Sequence, residues 1–497
     1  MKIAYAQMKI AAGHPDVNTK KILQLIDEAR AGDADIVIFP YMAVSGQMLG
    51  GACYQESFKR DCELCTEEII ATAKNIVVVL DGTKSFEKFD VKFISEPFTF
   101  EKIFPDEKIS RPVIQIGCVG IQNTGKTVYT FDGQSAVYNS RGEIVQYAGL
   151  FEESLNFVEL EEIDKMPVLE VPEISETEKF YRALSYGVKE FLAQIGISKV
   201  VIGVSGGIDS AVAAALYTKV LGAENVYLVN MPSVFNSETT KNLSEQLAKN
   251  LGCKYYVVPI QESVDWTVKQ LEERGIKVSS FVKENIQARD RSARILAAIA
   301  AAVGGGFTCN ANKAESTVGY ATLYGDEAGF LSALADLWKY QVYDLARYMN
   351  EKIYKREVIP QGIIDIVPSA ELSTAQNVDE GKGDPLKYPY HDYLFRAFAE
   401  KDLTPEEILR WYVTSELEYN IGCATGLVEK YFPTAQDFIA DLERWWKAFT
   451  GMGVAKRIQS PPILAVTNFP YGARAESQNG IHFTKKYLEL KNKILIR

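Results

Sequence analysis

No stretch of about 18 consecutive apolar residues occurs in the 497-residue chain, so nothing in it asks for a membrane-spanning helix. The start lacks a basic segment followed by an apolar one. Residues Lys2 to Gln7 alternate like a strand instead, and a secretory leader is not expected. Positive charge is short: 54 lysines and arginines face 65 acids, for a net charge of −11, which argues against a broad surface for a nucleic-acid backbone. The seven cysteines, at 53, 62, 65, 118, 253, 309 and 423, are odd in number and scattered. Cys62 and Cys65 form a lone C-x-x-C without a second pair, so spare thiols on a helix are expected rather than zinc or redox chemistry. These absences describe a cytoplasmic chain with neither a membrane nor a nucleic acid as partner. The lysine of the Walker loop and the G-x-G-x-x-G dinucleotide spacing are missing too, which removes the sequence support for kinase, GTPase and dehydrogenase readings.

What is present is ordinary globular composition, 47% hydrophobic and 24% charged, at a length that suggests two or three domains. The organising stretch is residues 200 to 216. There a β-branched run ends in Ser205, Gly206 and Gly207, and an alanine-rich run follows from Ile208. Strand, tight turn and helix N-terminus in that order make a phosphate site, because the first helical turn has unpartnered N–H groups and the positive end of the macrodipole. The two glycines let an anion approach the backbone, and Ser205 and Ser210 supply hydroxyl donors. Asp209 cannot bind phosphate directly; its expected role is to hold a Mg²⁺ that bridges phosphate oxygens. The wording Ser-Gly-Gly-x-Asp-Ser resembles the pyrophosphate loop of the N-type ATP pyrophosphatases, which cleave ATP to AMP and pyrophosphate while adenylating an acceptor.

Residues 1 to 170 read as one domain. A strand at Lys2 to Gln7, helical periodicity from Asn18 to Arg30 and a buried strand from Asp35 to Phe39 resemble the start of the nitrilase superfamily, whose amidases use Cys, Glu and Lys. Where that family continues Phe-Pro-Glu, this chain has Phe39, Pro40 and Tyr41. A phenol with a reference pKa near 10 cannot serve as the base at neutral pH. The segments Phe131 to Ser135 and Asn139 to Glu143 resemble the late strands of the same fold, but only about ninety residues separate them from Tyr41. Cys118 is the one candidate nucleophile on a strand end, and no neighbour in sequence would form its thiolate. The expectation is a shortened, pseudo-glutaminase sandwich.

Residues 171 to 497 alternate strands and helices through Asn225 to Pro232 and Lys254 to Ile260. That pattern predicts a doubly wound parallel sheet with its ligand at the carboxyl ends of the strands. Three later segments add chemistry: Glu284 to Arg294, with residues 287, 291 and 294 on one helical face; Phe307 to Asp326, carrying Asn310, Lys313 and Glu315; and Asp336 to Gln341, with Lys339. Two carboxylates from separate loops, Asp209 and Glu315, suit a phosphate-bridging Mg²⁺. An ammonium at Lys339 could offset charge developing on the reacting groups.

The wording Glu-Asn-x-Gln-Ala-Arg-x-Arg at 284, Asn-x-Asn-Lys-x-Glu at 310, Gly-Tyr-x-Thr-x-Tyr-Gly-Asp at 319 and Pro-Ser-Ala-Glu-Leu at 368 resembles NAD synthetase. Lys456 and Arg457, with Pro461 and Pro462, resemble the family's C-terminal segment. The resemblance implies an α/β fold, a degenerate nitrilase-like sandwich followed by an adenine nucleotide alpha hydrolase-like (PP-loop) domain. It implies ATP held by Gly203, Ser205, Gly206, Gly207, Asp209 and Ser210, and by Met231, Arg289, Asn310 and Lys313. Mg²⁺ would sit on Asp209 and Glu315, with Lys339 and Asp326 beside the reacting carboxylate. Asn285, Gln287, Tyr320, Thr322, Tyr324 and Ser369 would face the acceptor. The reaction implied is ATP-dependent amidation of deamido-NAD to NAD⁺ with ammonia, in a homodimer or larger homo-oligomer. Two alternatives stay open: glutamine as the nitrogen source, through residual activity or a separate glutaminase, and nicotinate mononucleotide as the acceptor. A regulatory paralogue that binds nucleotides without chemistry is disfavoured by the intact Asp209, Glu315 and Lys339. The family's acid in the helix after Met231, and its Pro-Ile-Gly ahead of Asp336, are absent here.

Overall fold

A computed structural model describes residues 1–80, 86–95, 97, 109–473 and 480–496. The chain divides into two compact units, residues 1–191 and 192–497, a division that falls about twenty residues beyond the polar joint expected near 170.

Unit 1 begins with β1 (Lys2–Gln7), α1 (Pro15–Ala31), β2 (Ile36–Ile38), α2 (Glu56–Thr72) and β3 (Val77–Val79). Then come β4 (Asp90–Phe93), β5 (Val113–Ile116), β6 (Val119–Asn123), β7 (Thr127–Asp132), β8 (Ala136–Tyr138), β9 (Ile144–Tyr147) and β10 (Ser154–Glu159). Two four-stranded sheets form, in the orders β10-β1-β2-β3 and β4-β5-β8-β9, with β6 and β7 as an antiparallel hairpin. The period-2 alternation of β1 explains the layering. Ile3 and Tyr5 pack with Ile114, Ile116 and Val137 of the second sheet, while Ala4 and Ala6 face Ile22 and Ile26 of α1 and Ile69 of α2. Cys65 lies in that helical layer, and both it and Cys62 are free thiols on α2. Residues 139–143, expected as a late strand, form the turn between β8 and β9. Asn139 closes it, its side-chain oxygen accepting from the N–H groups of Arg141 and Glu143 at 3.0 Å each.

The helix α3 (Glu176–Ile195) leads into unit 2, which alternates β11 (Val200–Gly203), α4 (Ile208–Leu221), β12 (Val226–Asn230), α5 (Glu238–Leu251), β13 (Lys254–Val257), α6 (Gln261–Glu272) and α7 (Ser280–Arg289). After α8 (Ala297–Val303) comes the short β14 (Gly306–Phe307), then α9 (Lys313–Val318), α10 (Lys339–Tyr348) and α11 (Gln361–Asp365). All strand pairs of this sheet are parallel, in the order β13-β12-β11-β14. The chain runs outward from β11 to β13 and then returns to the other side of β11. The crevice at the ends of β11 and β14 is therefore the topological switch point, the usual place for a ligand in such sheets. The alanine-rich α4 can pack so close to the sheet that residues 210–218 are all buried.

Between α7 and α8 the helix widens into a π-helical stretch, Asp290–Leu296. Such turns re-aim side chains and recur at functional sites. The rest of unit 2 is helical: α12 (Tyr388–Ala399), α13 (Pro405–Val413), α14 (Leu417–Ile421), α15 (Leu427–Tyr431), α16 (Ala435–Thr450), α17 (Met452–Gln459) and α18 (Lys485–Leu495). Their core is built on Phe395, Phe398, Phe438, Leu442 and Trp445. Among the described residues no helix is long and apolar enough to cross a membrane.

Candidate active site

A cavity of about 270 Å³ opens at the switch point of unit 2, close to the lower bound for small-molecule sites. Its floor is the turn from β11 into α4. Gly206 has φ +88, and a Cβ there would lie 2.4 Å from the Thr240 carbonyl oxygen, so only glycine fits. Ser205 Oγ accepts from Gly207 N–H at 3.2 Å, and Ser210 Oγ accepts from Ser205 N–H at 3.3 Å. The Ser210 hydroxyl donates to the Gly207 carbonyl at 3.0 Å, so here it shapes the loop rather than facing an anion. Carboxamides at the neighbouring strand ends hold the loop from outside. Asn230 Nδ2 donates to Val204 O at 2.8 Å, and Asn310 Nδ2 to Gly203 O at 3.2 Å. No side chain caps the first turn of α4, which leaves its N–H groups and its dipole to whatever enters the cavity.

Charge is concentrated beside this loop. Asp209 and Glu315 both reach the ammonium of Lys339, the first through a direct hydrogen bond and the second at 3.5 Å. Asn312 Nδ2 holds the other oxygen of Asp209 at 3.1 Å. Asn312 also caps α9 and receives Glu315 in a capping box, which fixes that carboxylate at the helix start. Tyr388 donates its hydroxyl to Glu315 at 3.1 Å, and its ring lies 4.8 Å from the Lys339 ammonium. A third carboxylate, Asp384, lines the cavity and accepts on one oxygen from Ala370 N–H, Tyr320 Oη and Gln376 Nε2 at 2.9, 3.0 and 3.2 Å. Burial works against the charge on Lys339, yet Asp209 and Glu315 outweigh it and hold the ammonium above the usual lysine range. Burial also pushes Glu315 up, with Asp209 and Asp384 adding to the effect and Lys339 opposing it. Three acids around one ammonium leave an excess of negative charge, which a divalent cation would offset. Among the described residues no three metal-ligating side chains group tightly enough to hold an ion unaided. Asp209 and Glu315 are two carboxylates of the kind that Mg²⁺ takes when phosphates and water complete its shell.

Of the residues expected from the sequence, the cavity brings together Gly203, Ser205, Gly206, Gly207, Asp209, Ser210, Met231, Asn310, Glu315, Tyr320, Asp326, Lys339 and Ser369. Asp326 accepts from Thr322 N–H at 2.8 Å and so closes the turn on which Tyr324 projects, exposed, with φ +59. Thr322 is buried and Tyr324 points away; neither lines the cavity. Asn285 is spent on Phe281 O one turn back, at 2.7 Å, and Gln287 holds Leu372 O at 2.9 Å from behind the wall. Arg289 donates to Leu323 O at 3.1 Å, away from the lining. The wall is formed instead by Ala288, Arg291 and Ser292, whose i, i+3 and i+4 spacing puts them on one face of the helix. Arg291, which was not among the expected ligands, donates to Met231 O at 3.1 Å and Asn236 Oδ1 at 3.2 Å. Burial lowers its pKa to about 10, with Asp326, Asp290 and Glu371 opposing. The doubled arginine of the motif was the signal for it; which arginine faces inward depends on the helix geometry.

Lys313 needs a correction. Expected among the ATP ligands, it is wholly buried, its ammonium held by Asp336 at 3.0 Å and Glu400 at 2.9 Å and lying 5.3 Å from the Trp338 ring. Trp338 in turn donates Nε1 to Glu400 at 2.9 Å. Lys313 opens α9 and Trp338 precedes α10, so this buried cluster braces the two helix starts that present Glu315 and Lys339.

Residues 180–422 match the family model described as NAD synthase. A glutamine-dependent NAD(+) synthetase of Synechocystis sp. is 34% identical over 310 residues, covering 61% of this chain and 53% of that protein. One of Aquifex aeolicus is 27% identical over 524 residues, covering 82% and 91%. The solved glutamine-dependent NAD(+) synthetase of Cytophaga hutchinsonii matches with a TM-score of 0.75 at 14% identity over 99% of both chains, a likeness of fold. The chain spans about half the length of the curated relatives it matches at one-third identity. The resemblance to NAD synthetase read from the sequence holds, and so does the expected fold class, an α/β sandwich followed by a doubly wound parallel sheet.

Two substitutions test this geometry. Gly206→Ala displaces the loop and should weaken binding of inorganic pyrophosphate, measured by calorimetry, about a hundredfold; unaltered affinity would mean the loop is not the anion cradle. Lys313→Met leaves the buried Asp336 without its counter-charge and Glu400 with Arg396 alone, and should cost about 3–5 kcal/mol in denaturant unfolding, an outcome that an unshifted midpoint would exclude.

Proposed function

We propose that this chain is an ATP-dependent ligase that amidates deamido-NAD to NAD⁺, releasing AMP and pyrophosphate, and that it takes ammonia directly. The observation that carries the reaction class is the convergence of Asp209, Glu315 and Lys339 at the anion-binding turn Gly206–Ser210. In this reading the loop and the first turn of α4 hold the polyphosphate of ATP. A nicotinate carboxylate oxygen bonds to the α-phosphorus, and the α–β bridging bond breaks with loss of pyrophosphate. Ammonia then bonds to the acyl carbon, the acyl–oxygen bond to AMP breaks, and one proton is released. Lys339 stabilises negative charge where the two substrates meet, and its ion pairs keep it aimed there. Mg²⁺, held by Asp209 and Glu315, would neutralise the polyphosphate. Asp326 borders the same space and would position the acceptor.

Two features support direct use of ammonia. Tyr41 stands where a general base is needed. Cys118 is buried, and burial pushes its thiol up to about 12 with Asp132 adding to the effect, the opposite of what a nucleophilic cysteine requires. The names of the relatives favour a second reading, in which glutamine supplies the nitrogen through unit 1.

The test compares NAD⁺ formation from deamido-NAD and ATP with ammonium or with glutamine, and repeats both with nicotinate mononucleotide as the acceptor. Ammonium with deamido-NAD should give NAD⁺, AMP and pyrophosphate in equal amounts, and Cys118→Ala should change neither arm. Glutamine-supported turnover that Cys118→Ala abolishes would establish the second reading. Preference for the mononucleotide would replace the acceptor.

A further inference from the structure

The wall of the cavity is held from behind by a carboxylate that no motif reading assigns a role. Glu371 sits in the loop after α11, in the left-handed region at φ +46, and is 2% exposed. A non-glycine residue is held in that conformation only when its surroundings over-determine it. Here they do. Its carboxylate accepts from Ser237 N–H at 3.1 Å, from Asn236 Nδ2 at 3.3 Å and from Thr240 Oγ1 at 2.7 Å. All three donors belong to the start of α5, the helix after Met231 that lacks the acid usual in the family. A negative charge at that helix start is favourable in itself, and charge-assisted bonds of this kind are the stronger ones.

Two of the three donors, Thr240 and Asn236, line the cavity. Thr240 is the surface on which Gly206 rests, since a Cβ on Gly206 would meet its carbonyl oxygen at 2.4 Å and its Cα at 2.8 Å. Asn236 accepts on Oδ1 from Arg291 at 3.2 Å and from Ser233 N–H at 2.8 Å. A shift of the α5 start would therefore move both the floor of the anion loop and the guanidinium in the wall. The same loop contributes Pro368, Ser369, Ala370 and Leu372 to the cavity, so Glu371 fastens that side of the wall to the phosphate side.

We infer that Glu371 is a positioning residue for ATP: by fixing Thr240 and Asn236 it sets the height of the Gly206 turn and the aim of Arg291. Resting on the ligase reading above, the inference concerns how tightly the polyphosphate is held and not the chemical step. Glu371→Gln keeps the shape and removes the charge; Thr240→Val removes the donor from the other side; Thr240→Ser keeps the hydroxyl. In the full chain with Mg²⁺, Glu371→Gln and Thr240→Val should each raise the KM for ATP and weaken ATP binding by calorimetry about tenfold, the scale of one charge-assisted bond. The fall in kcat should be smaller than the rise in KM. The double variant should be no worse than either single one, since both act on the same charge-assisted bond, and Thr240→Ser should restore affinity. Wild-type chain that fails to bind ATP, or makes no AMP, counts against the ligase reading and not against Glu371. With wild type active, ATP affinity unchanged in Glu371→Gln overturns the positioning role. So does a loss of all activity in step with a fall in the folded fraction by thermal melt, which would make the carboxylate merely structural.

Discussion

Two carboxylates from distant parts of the chain share one buried ammonium, and the rest of unit 2 is arranged around that constraint. Asp209 comes from the first turn of α4, Glu315 from the start of α9 and Lys339 from the start of α10. Buried charges are tolerated only when paired and hydrogen-bonded. Asn312 and Tyr388 supply the remaining bonds to the acids. Lys339 nevertheless cannot balance Asp209, Glu315 and Asp384 at once. The site is short of positive charge, and a divalent cation arriving with a nucleotide polyphosphate would offset the acids while the helix N-terminus takes the phosphates.

The scaffold places these groups by ordinary means. A parallel sheet reverses its strand order between β11 and β14, opening a crevice where both strands end. Glycines admit the anion loop, and the carboxamides of Asn230 and Asn310 clamp it from neighbouring strand ends. A second buried cluster, Lys313 with Asp336 and Glu400, braces the helix starts that carry Glu315 and Lys339. The strained backbone of Glu371 ties the far wall to the same frame. Unit 1, by contrast, layers two sheets with α1 and α2 packed against the first, and has neither an acid at position 41 nor an accessible thiol at Cys118.

Much of this was legible in the sequence because it is local. The turn at Ser205 to Ser210 announces itself through β-branched residues, glycines and alanines in succession, and the capping pattern around Asn312 and Glu315 follows from short-range spacing. What escaped depends on long-range contacts. Asp384 and Glu371 reach the site from a loop with no periodicity to read. Which of the two arginines faces the cavity is set by how the helix is turned against the sheet: Arg291 shares a face with Ala288 and Ser292, while Arg289 turns to Leu323 O. Lys313 looked like a ligand because its charge lies beside Asn312 and Glu315 in sequence, yet its side chain turns toward two buried acids instead. In unit 1, residues 139–143 read as a strand but close a turn, since Asn139 satisfies the backbone of the residues that follow it.

The most direct test of the account is the position of one metal ion. Crystals grown with manganese and a non-hydrolysable ATP analogue would reveal it by anomalous scattering. The account predicts a single manganese bonded to oxygens of both Asp209 and Glu315 and to phosphate oxygens above the Gly206 turn. Manganese held by the phosphates alone, with both carboxylates still on Lys339, would contradict it.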